Sequence, residues 1–279
     1  MVQIVSIIVV TYNSADYIEG LVRSIYEFNK NKYFELIIVD NASEDGTVQN
    51  ILRLKSYNLK LIQNKENVGF AKGINIGVRE ARGEYLLFIN PDALWKNGSV
   101  DDFASIFESD PNIGVIGGKI LAKDGKAEKS AGKFLKTFEV FLTALSLDEA
   151  LGVRFSPNRR VEADFVSGGF MAVRKNLFEK LGGFDENLFM YVEDMEFCYR
   201  AKKEGFKVIF DPSAAIIHES HGSSGRKFAI ENIHKGLIYF HKKHGSIISY
   251  NLVKFLLGSK SFALVLLGKI INNKEALRS

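Results

Sequence analysis

The hydrophobic pattern opens with a run that does not alternate, Val5-Ser6-Ile7-Ile8-Val9-Val10. A strand covered on one face reads apolar and polar in turn. β-Branched residues in succession predict a strand buried on both faces. Phe34 to Val39 repeats the pattern and ends in Asp40-Asn41-Ala42-Ser43. Leu59-Lys60-Leu61-Ile62 is a short third strand, and Tyr85 to Asn90 a fourth. Between them lie three helical stretches. The first runs from a cap at Asn13 or Ser14 to about Phe28, the second starts near Asp45, and the third opens at Asn67-Val68-Gly69-Phe70 and reaches about Ala81. This alternation predicts an α/β fold with a mainly parallel, doubly wound sheet and helices on both faces.

After about Ile120 the rhythm changes. Lys123 to Lys133 is rich in Gly and Lys and reads as a hairpin or loop, and Phe134 to Pro157 as an irregular or helical, mobile stretch. Val161 to Val173 reads as strand around Gly168-Gly169. Helices are expected over Arg174 to Leu181 and Tyr191 to Glu204, with Gly205 ending the second. Val208-Ile209-Phe210 and Ala214 to Ile217 read as two short strands, and Phe228 to His244 and Ile247 to Ile271 as a closing helical pair.

Composition adds two constraints. The chain has 279 residues, 46% hydrophobic and 25% charged, enough for a sizeable core. Its one cysteine, Cys198, excludes an internal disulfide, suits a reducing compartment, and sits in a helix as a packing residue. Met1-Val2-Gln3-Ile4 has no basic leader region, so no signal peptide is expected. The net charge of +4 is unevenly spread: from Arg226 on, ten basic and two acidic residues leave the tail at +8 and the remainder at −4. A basic end on an acidic body points to an anionic partner.

The chemistry sits where strands stop. Tyr85-Leu86-Leu87-Phe88-Ile89 runs into Asn90-Pro91-Asp92. Proline ends the strand and presents Asp92 beyond the sheet edge, where open α/β sheets bind ligands and where a carboxylate suits a hard cation on phosphate. A Pro-Asp pair also opens ordinary turns. Asp40 can accept from a nucleobase or ribose, or simply cap the next helix. Asp194 opens the segment Tyr191-Val192-Glu193-Asp194-Met195-Glu196-Phe197-Cys198-Tyr199-Arg200, placed either to take a proton from a hydroxyl or to pair with the helix dipole. His218 closes Ala214-Ala215-Ile216-Ile217 and can complete a cation site, as can His221. The following Gly222-Ser223-Ser224 reads as a loop that orders over ligand. No Gly-x-Gly-x-x-Gly follows the first strand and no phosphate-binding Gly-Lys-Ser/Thr occurs, so a bound diphosphate needs a metal rather than a glycine cradle.

Several segments, in order from residue 4 to about 225, resemble an inverting nucleotide-sugar glycosyltransferase of the GT-A fold, in glycosyltransferase family 2. They are Ser6 to Asn13, Ile38 to Ser43, Asn67 to Asn75, Phe88 to Asp92, Val166 to Met171 and Phe184 to Arg200. The resemblance implies that Thr11, Tyr12, Asn13 and Asp40 hold base and ribose, and that Asn67, Lys72 and Asn75 line the donor pocket. It makes Asp92 and His218 ligands of Mg²⁺ or Mn²⁺, with His221 as fallback, although Asn90 stands where the family often has a first aspartate. Asp194 becomes the catalytic base, with Gly168, Gly169, Glu193 and Arg200 on the acceptor side. Asn-Pro-Asp and Ser-Gly-Gly-Phe-Met look most like rhamnosyltransferase-like members using dTDP-rhamnose on cell-surface glycans.

On that resemblance, residues 1–225 form the catalytic domain and 226–279 a basic, amphipathic helical extension. Leu252 to Ile271 is apolar but broken by Lys254, Lys260 and Lys269, short of a membrane span. It either lies on an anionic bilayer near a lipid-linked acceptor, packs on the core, or makes a homodimer contact. The expected setting is cytoplasmic, or peripheral on the inner face of the cell membrane. A nucleotidyltransferase would need a Gly-rich basic loop after the first strand, and a non-catalytic sugar-nucleotide-binding module need not keep Asp92, Asp194 and His218 together. No nucleic-acid partner is expected, because the tail's basic residues are spaced along apolar helices.

Overall fold

The computed structural model describes residues 5–30, 33–54, 56–145, 147, 149–219 and 225–276, with side chains up to 261 apart from those of 144 and 226. In chain order the elements are β1 (Val5–Thr11), α1 (Ile18–Phe28), β2 (Phe34–Asp40), α2 (Thr47–Arg53), β3 (Leu59–Gln63), α3 (Phe70–Arg79) and β4 (Tyr85–Ile89). Then come β5 (Ala93–Asn97), α4 (Val100–Ser109), β6 (Ile113–Ala122), β7 (Ala131–Gly132), α5 (Thr137–Ala144), β8 (Arg154–Phe155), β9 (Val161–Ala163), β10 (Phe165–Val166) and β11 (Phe170–Arg174). The last are α6 (Lys175–Lys180), α7 (Glu193–Lys203), β12 (Lys207–His218), α8 (Arg226–His244) and α9 (Ile247–Ala276).

One sheet runs β3-β2-β1-β4-β11-β6-β12-β5, with β9 beside β12, and β10-β7-β8 form a small second sheet. Its first four strands are parallel, in a register that sets Thr11 opposite Asp40. The second half is mixed: β12 runs parallel to β6, while β11 is antiparallel to both β4 and β6. The unbroken β1 pattern has a direct cause. Ile7 and Val9 enter one core with Leu21 and Ile25 of α1, and Ile8 and Val10 enter the other with Ile74 of α3. Helix α3 lies close on β1 because Gly73 and Gly77 face Val10 and Ile8; a Cβ at Gly77 would stand 2.6 Å from Ile8 Cγ2. That contact holds the start of α3 against the ends of β1 and β2.

Several expectations shift. The two short strands near residue 210 are one strand, β12, whose register slips between Phe210 and Ala215. Pro212 cannot donate to a ladder, so the strand bulges there, and Asp211 accepts from Ser213 N–H at 2.8 Å. Helix α1 starts after Tyr17 rather than at Asn13 or Ser14, because Asn13 has φ 50° and bonds a neighbouring loop. The Val161–Val173 stretch is three strands broken before Gly168-Gly169. Asp102 closes a capping box with Ser99 that opens α4, an element absent from the sequence expectation.

The C-terminal helices pack on the body: Leu237 and Phe240 of α8 and Val253 and Leu257 of α9 join the core cluster that holds Phe197. Among the described residues, no helix is long and apolar enough to cross a membrane.

Candidate active site

The parallel strands end around a cavity of about 500 Å³, bordered by Tyr12, Asn41, Asn67, Asn90-Pro91-Asp92 and His218 and walled by Phe70, Phe189 and Phe228. Topology puts it there. β1 lies between β2 and β4, so the loops after all three converge on one edge.

On one side, amide side chains from two loops knit the edge together. Asn64 Nδ2 donates to Asn41 Oδ1 at 2.8 Å, Asn41 Nδ2 donates to Gly69 O at 3.1 Å, and Gly69 N–H donates to Asn67 Oδ1 at 3.0 Å. Gly69 needs its φ of 85°, and a Cβ there would meet Phe189 O at 2.4 Å. Tyr12 presents its ring to the cavity, 45% exposed.

Opposite lie Asp92, 4% exposed, and His218, whose Nε2 is 3.1 Å from Asp92 Oδ2 and whose Nδ1 is 3.3 Å from Glu128 Oε1. Burial works against a charged imidazole, but the hydrogen bonds it donates to both carboxylates outweigh it and push His218 up to about 10. A divalent cation such as Mg²⁺ or Mn²⁺ would have to displace the Nε2 proton, after which a carboxylate and an imidazole at this separation fit it. No cluster of three or more side chains suited to a metal occurs among the described residues.

The Asn90-Pro91-Asp92 turn touches the Gly168-Gly169 turn, since Asn90 N–H donates to Gly169 O at 3.1 Å. Gly168 N–H in turn donates to Asp194 Oδ2 at 2.9 Å, and Met195 N–H donates to Asp194 Oδ1 at 2.7 Å. Burial raises Asp194 above the usual carboxylate range, opposed by those two N–H groups and by the charge of Arg154. Glu193 is 4% exposed, with Oε2 unpartnered among the described residues. Burial, then the charge of Asp194, drives it well above its ordinary value. Burial thus raises both neighbouring carboxyls. The backbone turns sharply to enter α7, with Tyr191 at φ 69° and Val192 at φ 70°, strained values for residues bearing a Cβ. Asp92 and His218 therefore border the cavity, whereas Asp194 lies behind its lining, tied to it through the Gly168-Gly169 turn.

Other expected residues turn elsewhere. Asp40 is buried, accepting from Thr11 Oγ1 at 2.9 Å and Ser43 N–H at 3.0 Å, so Thr11 and Asp40 brace the strand ends instead of bordering the cavity. Asn13 Oδ1 accepts from Glu44 N–H, and Lys72 is exposed away from the lining. Asn75 was expected in the donor pocket. Its amide instead donates to Phe184 O at 2.9 Å and accepts from Phe184 N–H at 2.9 Å, because a buried amide must satisfy both ends. Arg200 was expected beside the acceptor; it donates to Leu181 O and Gly183 O and pairs with the fully buried Glu196. Both lock the 181–186 loop around a separate depression. His221 and the Gly222-Ser223-Ser224 loop lie outside the described residues.

Missing from the sequence expectation were Asn41 and Asn64 as organisers, Phe189 and Phe228 as walls, and Glu128 behind His218. Asn41 and Phe189 lie inside or beside the segments that carried the resemblance. Glu128, in a Gly- and Lys-rich stretch, left no signal.

Comparison with known proteins gives a consistent result. The model of glycosyl transferase family 2 matches residues 6–182. The chain is 26% identical over 251 residues to N-acetylglucosaminyl-diphospho-decaprenol L-rhamnosyltransferase of Mycobacterium tuberculosis (strain ATCC 25618 / H37Rv), covering 81% of this chain and 79% of that one. It is 27% identical over 230 residues to rhamnosyltransferase WbbL of Escherichia coli (strain K12), covering 78% and 84%. The fold matches the mannosyltransferase PcManGT from Pyrobaculum calidifontis in complex with GDP-Man and Mn²⁺, with a TM-score of 0.61 at 21% identity over 98% of this chain and 79% of that one.

Proposed function

From the premise that the chain belongs to glycosyltransferase family 2 and carries a GT-A-like fold, we propose that it moves a sugar from a nucleoside-diphosphate donor to an acceptor hydroxyl with inversion. The donor we favour is dTDP-rhamnose, otherwise a UDP-sugar, and the acceptor a cell-surface glycan or a sugar on a lipid diphosphate. Both the M. tuberculosis and the E. coli relatives are rhamnosyltransferases, which supports rhamnose as the sugar, and the former's N-acetylglucosaminyl-diphospho-decaprenol supports a sugar on a lipid diphosphate as the acceptor. The observation that carries the reading is the pairing of Asp92 with His218 at 3.1 Å on the cavity, with Asp194 tied to the adjoining turn by Gly168 N–H.

In this reading Tyr12, Asn41 and Asn67 receive the nucleoside, and the diphosphate lies towards Asp92 and His218. A divalent cation, when bound by that pair, supplies positive charge to the leaving diphosphate. The acceptor enters over Gly168-Gly169, where the lack of side chains leaves room beside Asp194. The acceptor hydroxyl's oxygen forms a bond to the anomeric carbon as the bond to the diphosphate oxygen breaks. The nucleoside diphosphate leaves with that electron pair, and the hydroxyl proton passes to the Asp194 carboxylate. A carboxyl that burial raises above the usual carboxylate range suits that task.

Asp194→Asn tests the assignment. Thermal shift with UDP-, GDP- and dTDP-sugars, with and without Mn²⁺, identifies the donor, and the variant should bind it as the wild type does. Sugar transfer should fall by about 10²–10⁴-fold, the usual size of a general-base contribution. Transfer at the wild-type rate would end Asp194's role as base.

A further inference from the structure

Outside the cavity, exposed apolar side chains gather on one surface. Of the fifteen large apolar side chains exposed among the described residues, nine fall in two segments, 138–151 and 247–255. Phe138 is 65% exposed, Ile248 75% and Phe255 69%. The segments meet: Thr137 Oγ1 and Ser249 Oγ are 2.8 Å apart, and Lys260 Nζ donates to Thr143 O at 3.0 Å. They therefore form one continuous patch.

Both helices are apolar on two sides. Val140 and Leu142 of α5 and Val253 and Leu257 of α9 enter the core. Phe138 and Phe141 share the outer side of α5, and Ile248, Leu252 and Phe255, at spacings of four and three, share that of α9. A solvated patch of this kind marks an interaction site. Lys133, Lys136, Lys242 and Lys254 are exposed on the same segments and those next to them, against the exposed Glu149 and the half-buried Glu139. The chain from Arg226 on carries +8. Pairing with a second copy would set that basic extension against its twin. Charge complementarity selects an anionic partner instead, and insertion of aromatic and aliphatic side chains selects a lipid one.

We propose that the α5–α9 face docks the protein on an anionic lipid bilayer, with α9 lying in the interface rather than crossing it. The location fits delivery of acceptor. Glu149 lies between the exposed Leu147 and Leu151 and borders a second cavity of about 290 Å³ with Lys129, Arg154 and Ser167. Ser167 precedes Gly168, whose N–H holds Asp194. The membrane face thus adjoins the side on which the acceptor enters. Its purpose rests on the transferase reading, but vesicle binding is measured without donor or acceptor, so the two fail separately.

Flotation of the full chain with phosphatidylcholine vesicles, and with equal mixtures of phosphatidylcholine and phosphatidylglycerol, tests the proposal. The wild type should float with the mixed vesicles and much less with phosphatidylcholine alone. Combining Phe138→Gln, Ile248→Gln and Phe255→Gln should lower vesicle affinity by at least about tenfold. Melting temperature should stay unchanged, since all three side chains are exposed. Lys136→Glu with Lys254→Glu should weaken binding to mixed vesicles while leaving the fold intact. A wild type that ignores mixed vesicles would overturn the proposal, as would a triple variant that floats equally well. So would a solution dimer that the triple variant dissociates while vesicles remain unbound.

Discussion

Replacing Glu193 with Gln probes the carboxylate pair most directly. Glu193 is almost fully buried, with one oxygen unpartnered among the described residues and Asp194 as its neighbour in the chain. Burial and that neighbour raise its folded pKa well above the ordinary 4.5. The sign follows from proton counting. At a pH above 4.5 the unfolded chain has lost this proton while the fold retains it, so the fold binds more protons and its stability falls as pH rises. The slope is about 1.4 kcal/mol per pH unit, from the unfolded pKa up to the raised folded one. Gln copies the neutral acid's shape and does not titrate, so that slope disappears. The variant's advantage in melting temperature should therefore grow by roughly 3 °C per pH unit from mildly acid to neutral pH, given about 2–4 °C per kcal/mol. Transfer activity should survive, because the variant leaves the Asp194 carboxyl and its two N–H donors in place. The assay is a melting series of both proteins across pH, with initial rates alongside. A stability difference that does not change with pH would refute the argument, and so would activity loss as deep as that of Asp194→Asn.

Three further outcomes are expected. His218→Ala should abolish the extra thermal stabilisation that Mn²⁺ gives with nucleotide, while nucleotide alone still binds; an unchanged Mn²⁺ effect would remove His218 from the cation site. Arg200→Ala strips the main partner from buried Glu196, leaving Lys243 and His244, and should cost about 3–5 kcal/mol in denaturant unfolding with nucleotide affinity preserved in the remaining folded protein. Gly69→Ala forces a Cβ to within 2.4 Å of Phe189 O at a φ of 85°, so it should destabilise by roughly 1–3 kcal/mol and raise the donor KM, both measurable by melting and kinetics.

Much of the site was legible because strand ends mark it. Asn90-Pro91-Asp92 and His218 terminate apolar runs, and a parallel sheet brings such ends to one edge. Asp194 was legible as the opening of a helix. Less was legible where one residue serves two adjacent loops. Asp40 follows a strand just as Asp92 does, yet its oxygens are taken up by Thr11 and Ser43. Nothing in the local pattern separates the two.

By itself, the order of apolar and polar residues determined the alternation of buried strands and helices, the doubly sided burial of β1, and the loops that must meet at the carboxyl edge. Tertiary structure alone decided which side chains in those loops face the cavity. Asn75 turns to Phe184, 109 residues away, Glu128 reaches His218 across 90, and α8 supplies Phe228 to the wall. The physical reason is that burial pattern is local, within a turn or a pleat, whereas each buried polar group takes whichever partner the folded chain brings within reach.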